Sequence, residues 1–294
     1  MSAPTPPGAA RTDAAQEAFL FVQSLAAELS RGQVDLPGFP EVVLRVRQVL
    51  ADEHVSAERV ARVIGAEPLL AARLLRVANS AALNSSGKSV SDLRSAISRV
   101  GLDVVRSTTI AFAVYQLRLA PSLHGLETPL ETLWQRSVLV ASHCYVLARR
   151  LTAINPDTAM LAGLLHGIGR LYILTRASGH RALFTDVATY QAIERDWHLG
   201  FAVALLEHWK IAGEIITAVR HCEDFAREPG ALPTVSDVLV AAVLMVVHQG
   251  HPDLLAARLQ SVRPIASLQL DGALCQTLLT ESALEISALR EALA

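Results

Sequence analysis

The chain has 294 residues with 26 basic and 28 acidic side chains, a formal net charge of −2, and 51% hydrophobic but only 5% aromatic residues. That balance argues against a global electrostatic footprint for nucleic acid or anionic lipid, and the apolar content suffices for the core of one large domain or two modest ones. The longest stretch without Asp, Glu, Lys or Arg, Val238 to Pro252, contains His248 and His251 and falls short of the roughly 20 apolar residues of a spanning helix, so no membrane segment is expected.

Residues 1–13 are rich in Pro and Ala, lack periodicity and are expected to be disordered; no basic segment leads into an apolar one, as a signal peptide requires. From Ala14 to Ser30, Phe21, Val22, Leu25 and Leu29 recur at helical spacing, closed by Gly32. This gives a first unit, residues 1–32: a disordered tail plus one amphipathic helix. Leu36-Pro37-Gly38-Phe39-Pro40 reads as a rigid turn, and Val42, Val43, Val46, Val49 and Leu50 form the apolar face of the helix after it. Ser56 is the expected N-cap of a helix carrying Val60, Val63 and Ile64. Pro68 opens another, with Leu70, Leu74, Leu75 and Val77 inward and Arg73 and Arg76 outward. Ser91 is expected to cap a helix closed by Gly101, followed by a long apolar helix from Leu102 to Leu117.

Further helices are predicted over Leu130–Leu151, Asp157–Thr175, His180–Leu206, Ala212–His221, Val235–His248 and from Asp271 to the end. No segment sustains a period of two between hairpin turns. The expected fold class is all-α, essentially without sheet. Cys144, Cys222 and Cys275 are far apart and odd in number, which suits free buried thiols in a reducing cytoplasm better than a disulfide or zinc framework.

Few residues could carry chemistry. Gly167-Ile168-Gly169 follows a helical pattern rather than a strand and lacks a third glycine, so the dinucleotide reading fails. Histidine is the informative type: His143, His166, His198, His208 and His221 fall within helical patterns. His166 lies in the strongly apolar run Met160 to Arg170, where an imidazole must find a partner or bear a desolvation cost of a few kcal/mol. Arg170 stands one helical turn on, on the same face.

Leu164-Leu165-His166-Gly167-Ile168-Gly169-Arg170 resembles the Leu-Leu-His-Asp-Ile-Gly-Lys/Arg signature of the HD phosphohydrolase superfamily. Five further stretches resemble its HDOD branch, the HD-related output domain of bacterial signalling proteins: Leu36 to Pro40, Ala66 to Ser80, Ser91 to Ile97 followed by Gly101-Leu102, Leu133-Trp134, and Leu205 to Trp209. The resemblance covers residues 33–225 and implies an HD-like helical bundle with an additional N-terminal helical subdomain. Residues 226–294 are then expected to be C-terminal helices packed on that domain.

A catalytic HD site resembles His…His-Asp…Asp, with imidazoles and carboxylates from separate helices around divalent metal. Against that pattern Arg136 stands where the first His falls, Gly167 where the Asp falls, and Ala241-Ala242 where the last Asp falls, with Asp237 one turn away. A fixed positive charge in place of an imidazole and a lost carboxylate both oppose a cation. No catalytic residue, metal or cofactor is therefore expected. Arg136, His166, Gly167, Arg170, His198 and His221 are the candidate pocket; Arg136 with His166, His198 and His221 sets one guanidinium beside several imidazoles and few acids, which suits an anion or simply ties helices together.

The resemblance implies a non-catalytic signalling module acting through protein partners in the cytoplasm. The alternatives are a metal-dependent phosphohydrolase or cyclic-dinucleotide phosphodiesterase, and a module that senses an anionic nucleotide without turnover. Nucleic-acid binding is not expected: Arg45, Arg47, Arg59, Arg62, Arg73 and Arg76 are interrupted by acids and lack an aromatic platform.

Overall fold

The computed structural model describes residues 7–32, 34, 41–52, 54–84, 87–118 and 123–293; among them there is no strand. The N-terminal part comprises α1 (Pro7–Arg31), α2 (Glu41–Leu50), α3 (Ala57–Ile64), α4 (Pro68–Ala78) and α5 (Leu93–Arg118). It continues with α6 (Glu127–Leu151), α7 (Pro156–Leu165), α8 (Ile168–Ala177), α9 (Val187–His208), α10 (Gly213–Arg220) and α11 (Val235–Val247), then α12 (Pro252–Ser261), α13 (Gly272–Glu281) and α14 (Ala283–Leu293). Short 3-10 turns cover Arg181–Thr185 and Arg263–Leu268. The motif at residues 36–40 lies outside the described residues.

α6, α7 and α11 form the centre. Every residue of α11 from Val235 to Met245 is buried, as expected of a helix that is apolar all round. α6 and α7 approach closely at Gly163, where a Cβ would stand 2.6 Å from Ala141 Cα. The C-terminal segment continues this packing: α14 lies on α6 and α4, and α11 on α6, α7 and α10.

Several expectations are corrected. α1 starts at Pro7, not Ala14, because Pro is tolerated in a helix's first turn and the following alanines favour helix. The side chain that caps α5 is Asp92, which accepts from Ser95 N–H at 2.8 Å, rather than Ser91. Arg73 does not face outward: it is 7% exposed, with its guanidinium 4.8 Å from the centre of the Tyr115 ring. The predicted helix 157–175 is broken at His166-Gly167, and the one from His180 begins only at Val187, after Asp186 accepts from Thr189 N–H. α12 was not anticipated, and the last predicted helix is interrupted at Ser282.

Taken as one stretch, Pro156–Ala177 is long and apolar enough to cross a membrane, with 89% of its most apolar window buried inside the protein. Asp157, Arg170 and Arg176 interrupt it, so a search for charge-free runs does not reveal it. Here the hydropathy is spent on core packing.

Three local devices position the rest. Asn79 clamps the segment before α5 from both sides, its Oδ1 accepting from Val90 N–H and its Nδ2 donating to Val90 O, each at 2.8 Å. Gly101, at φ +78°, lets the chain turn sharply inside α5. α1 is fastened onto α8 by Glu28, which accepts from the Tyr172 hydroxyl and pairs with Arg176 at 3.0 Å.

Candidate functional site

His166 sits in the break between α7 and α8 and is 7% exposed. Its Nδ1 lies 2.6 Å from the Gly163 carbonyl oxygen, so Nδ1–H donates and Nε2 keeps its lone pair. Burial first, then the guanidiniums of Arg136 and Arg170, push its pKa down to about 4. The ring is neutral at pH 7. That tautomer is the one a metal-ligating histidine uses, but the charged groups acting on it include two guanidiniums. At Gly167 a Cβ would stand 2.9 Å from Ser137 Oγ on α6, so any side chain there must displace Ser137.

Arg170, on α8, is the hub. Its Nη1 donates to Glu194 at 2.9 Å, and its Nη2 donates to Glu223 at 2.6 Å and lies 3.2 Å from His198 Nε2. His198 is 1% exposed, and its Nε2 is also 3.3 Å from the second Glu223 oxygen. Nε2 cannot both accept from Arg170 and donate to Glu223. Donation to the carboxylate is the stronger bond, and Arg170 already has two carboxylate partners. His198 Nδ1 is then a buried lone pair with no partner. The Glu223 carboxyl is held down to about 2, first by the hydrogen bond from His198, with burial opposing, and then by Arg170.

Arg136, half-buried on α6, forms no hydrogen bond or ion pair among the described residues. Burial lowers its pKa, and Arg170 adds to this, while Glu223 and Glu194 oppose it. The group remains a cation because a guanidinium does not lose its proton in proteins.

The structure therefore gathers Arg136, His166, Gly167, Arg170 and His198. His221 ends α10 with its Nδ1 sequestered and unpartnered, and no hydrogen bond joins it to Arg170, His198 or Glu223. The expectation of an acid-poor pocket is corrected: Glu194 and Glu223 set two carboxylates against two guanidiniums, and the centre is close to neutral. Sequence reasoning missed both acids. Glu194 stands four residues before His198 on α9, a spacing that shares one helix face; Glu223, in the turn after α10, gave no such signal.

Asp237 has a structural role. It is fully buried, closes the capping box of α11 with Thr234, pairs with Arg227 and lies 3.4 Å from Ser267 Oγ. Ala241 and Ala242 are fully buried and carry no ligand atom. Of the positions where the resemblance places metal ligands, only His166 offers a donor, and among the described residues no three His, Cys, Asp or Glu side chains are grouped as a metal site needs. This donor set does not fit a divalent cation.

The HDOD domain model matches residues 36–225. Among curated proteins none matches the chain. Among solved structures, a protein of Shewanella amazonensis SB2B provisionally named a metal-dependent phosphohydrolase is similar at 25% identity and a TM-score of 0.73, over 95% of this chain and 100% of the other. An HDOD domain protein of unknown function from Geobacter sulfurreducens is 26% identical with a TM-score of 0.65, over 92% of this chain and 97% of its own. A protein of Marinobacter aquaeolei VT8 provisionally named for signal transduction shares the fold at 19% identity and a TM-score of 0.57, over 94% of this chain and 66% of the other.

Proposed function

This chain belongs to the HDOD domain family, and from that premise we propose that it is a non-catalytic signalling module that acts through protein partners. The observation that carries the reading is Arg136, a guanidinium with no hydrogen bond or ion pair among the described residues, which acts electrostatically on a His166 that keeps a ligand's tautomer; the family resemblance sets an imidazole at its position. A fixed cation that acts electrostatically on His166 opposes the metal that phosphoester hydrolysis would need. The similarity to a structure named for phosphohydrolysis supports the alternative only through shared scaffold, and function follows the site rather than the fold.

The test is an assay of the purified full chain on phosphomonoesters, phosphodiesters and cyclic dinucleotides with added manganese, iron or zinc, beside elemental analysis. No turnover and no stoichiometric metal are expected. Gly167→Asp alone is expected to stay inactive, because Arg136 still opposes the cation, and to lose about 1–3 kcal/mol of stability from the crowding at Ser137. Turnover that disappears with His166→Ala, or activity gained by Gly167→Asp, overturns the reading.

A further inference from the structure

A cavity of about 780 Å³ opens beside this centre, between the start of α6, the end of α8, the 3-10 turn at Arg181–Thr185 and the start of α9. Its size lies in the range that encloses small organic ligands. Leu133 and Leu174 contribute apolar wall, and so do Phe184 and Tyr190, whose ring centres are 5.2 Å apart and tilted by 41°. Two charged groups break the apolar surface. Arg181, exposed, forms no ion pair among the described residues. Glu194 is the wall shared with the centre: its Oε2 accepts from Arg170, while its Oε1 has no partner among the described residues.

The chemistry of these groups defines an occupant. Flat aromatic walls favour a planar ring. Glu194 already has its charge matched by Arg170, so it calls for a neutral N–H donor rather than a second cation, and a pure hydrocarbon would leave Oε1 desolvated and unbonded. Arg181 is suited to an acidic group, phosphate above all, since its guanidinium can donate two parallel hydrogen bonds. We propose that this cavity binds a heteroaromatic anion of about mononucleotide size, with ring N–H groups on Glu194, its flat face on Phe184 and Tyr190, and its phosphate on Arg181. Tyr190, Glu194 and His198 lie four residues apart on one face of α9. The occupant would thus touch a carboxylate bonded to Arg170, which in turn holds Glu223, and this gives the module a small-molecule input. The proposal does not rest on the absence of catalysis: hydrolysis of a bound probe would refute the non-catalytic reading and leave the binding site standing.

Two probes share the required chemistry, guanosine 5′-monophosphate and flavin mononucleotide, and calorimetric titration of the full chain with each distinguishes a nucleotide from a flavin-like source. Saturable one-to-one binding of at least one is expected. For that probe, Arg181→Ala and Phe184→Ala should each weaken binding about tenfold or more, and Glu194→Gln should weaken it while the melting temperature of Arg181→Ala stays at the wild-type value. Ribose 5-phosphate, which lacks the ring, should bind far more weakly. The proposal is overturned if neither probe binds at millimolar concentration, if ribose 5-phosphate binds as well as the full probe, or if binding is indifferent to Arg181→Ala and Phe184→Ala.

Discussion

Gly169 rests directly on the backbone of His198: a Cβ built on Gly169 would stand 1.8 Å from the His198 carbonyl oxygen and 2.9 Å from Ala202 N. The contact seats α8 on α9 and so fixes how far Arg170, the next residue, must reach to His198 and Glu223. Gly169→Ala must push two backbones apart in a close-packed interior. A loss of about 2 kcal/mol or more is expected in urea unfolding, together with faster amide exchange in both helices. A variant of wild-type stability would show that the helices separate freely and that the glycine positions nothing.

His166 makes stability depend on pH. Its folded pKa of about 4 lies below the ordinary 6.5 because burial disfavours the charged ring, so the unfolded chain takes up the proton first. Its contribution is complete above pH 6.5 and is lost as pH falls toward 4, amounting to about 3 kcal/mol. Asp157, raised by burial to about 6 from 3.8, acts in the opposite sense over much of that window, so wild type must be compared with His166→Gln rather than read alone. Between pH 6.5 and 4 the wild type should lose more stability than the variant, and parallel curves would contradict a neutral buried ring.

Removing the hub of the centre should be costly. Arg170→Met leaves Glu194 and Glu223 facing each other without their cation, and about 2–4 kcal/mol should be lost in denaturant titration. Adding Glu223→Leu to that variant removes one stranded charge and should restore part of the loss. If the double variant is less stable than the sum of the single ones, the carboxylate was not stranded and the hub reading fails.

Asp237→Ala should cost about 3–5 kcal/mol, because Arg227 loses its buried partner and α11 its capping box. The His166 titration, followed by nuclear magnetic resonance, should not move. A shifted His166 pKa would instead place Asp237 in electrostatic reach of the centre and restore it as a candidate ligand.

The sequence made the helices legible where a single apolar face sufficed. Ser56 caps α3 as its hydroxyl chemistry dictates, and Gly101 turns the chain inside α5 because glycine readily accepts positive φ. Local pattern misleads where long-range contacts overrule it. Arg73 reads as a solvent-facing residue on α4, yet Tyr115 of α5 covers it. The His166-Gly167 break is invisible in a run of uniformly apolar residues, since hydropathy does not reveal a change of helix axis.

The amino-acid sequence by itself determined the helical class and the family signature, because each depends only on which residue type stands at which position. Only the tertiary structure decided which groups surround Arg170. Glu194 and Glu223 lie 24 and 53 residues from Arg170, and bringing them onto one guanidinium depends on how α8, α9 and the turn after α10 pack. Helix packing is set by side-chain shape across the whole core, and no local spacing in the chain encodes it.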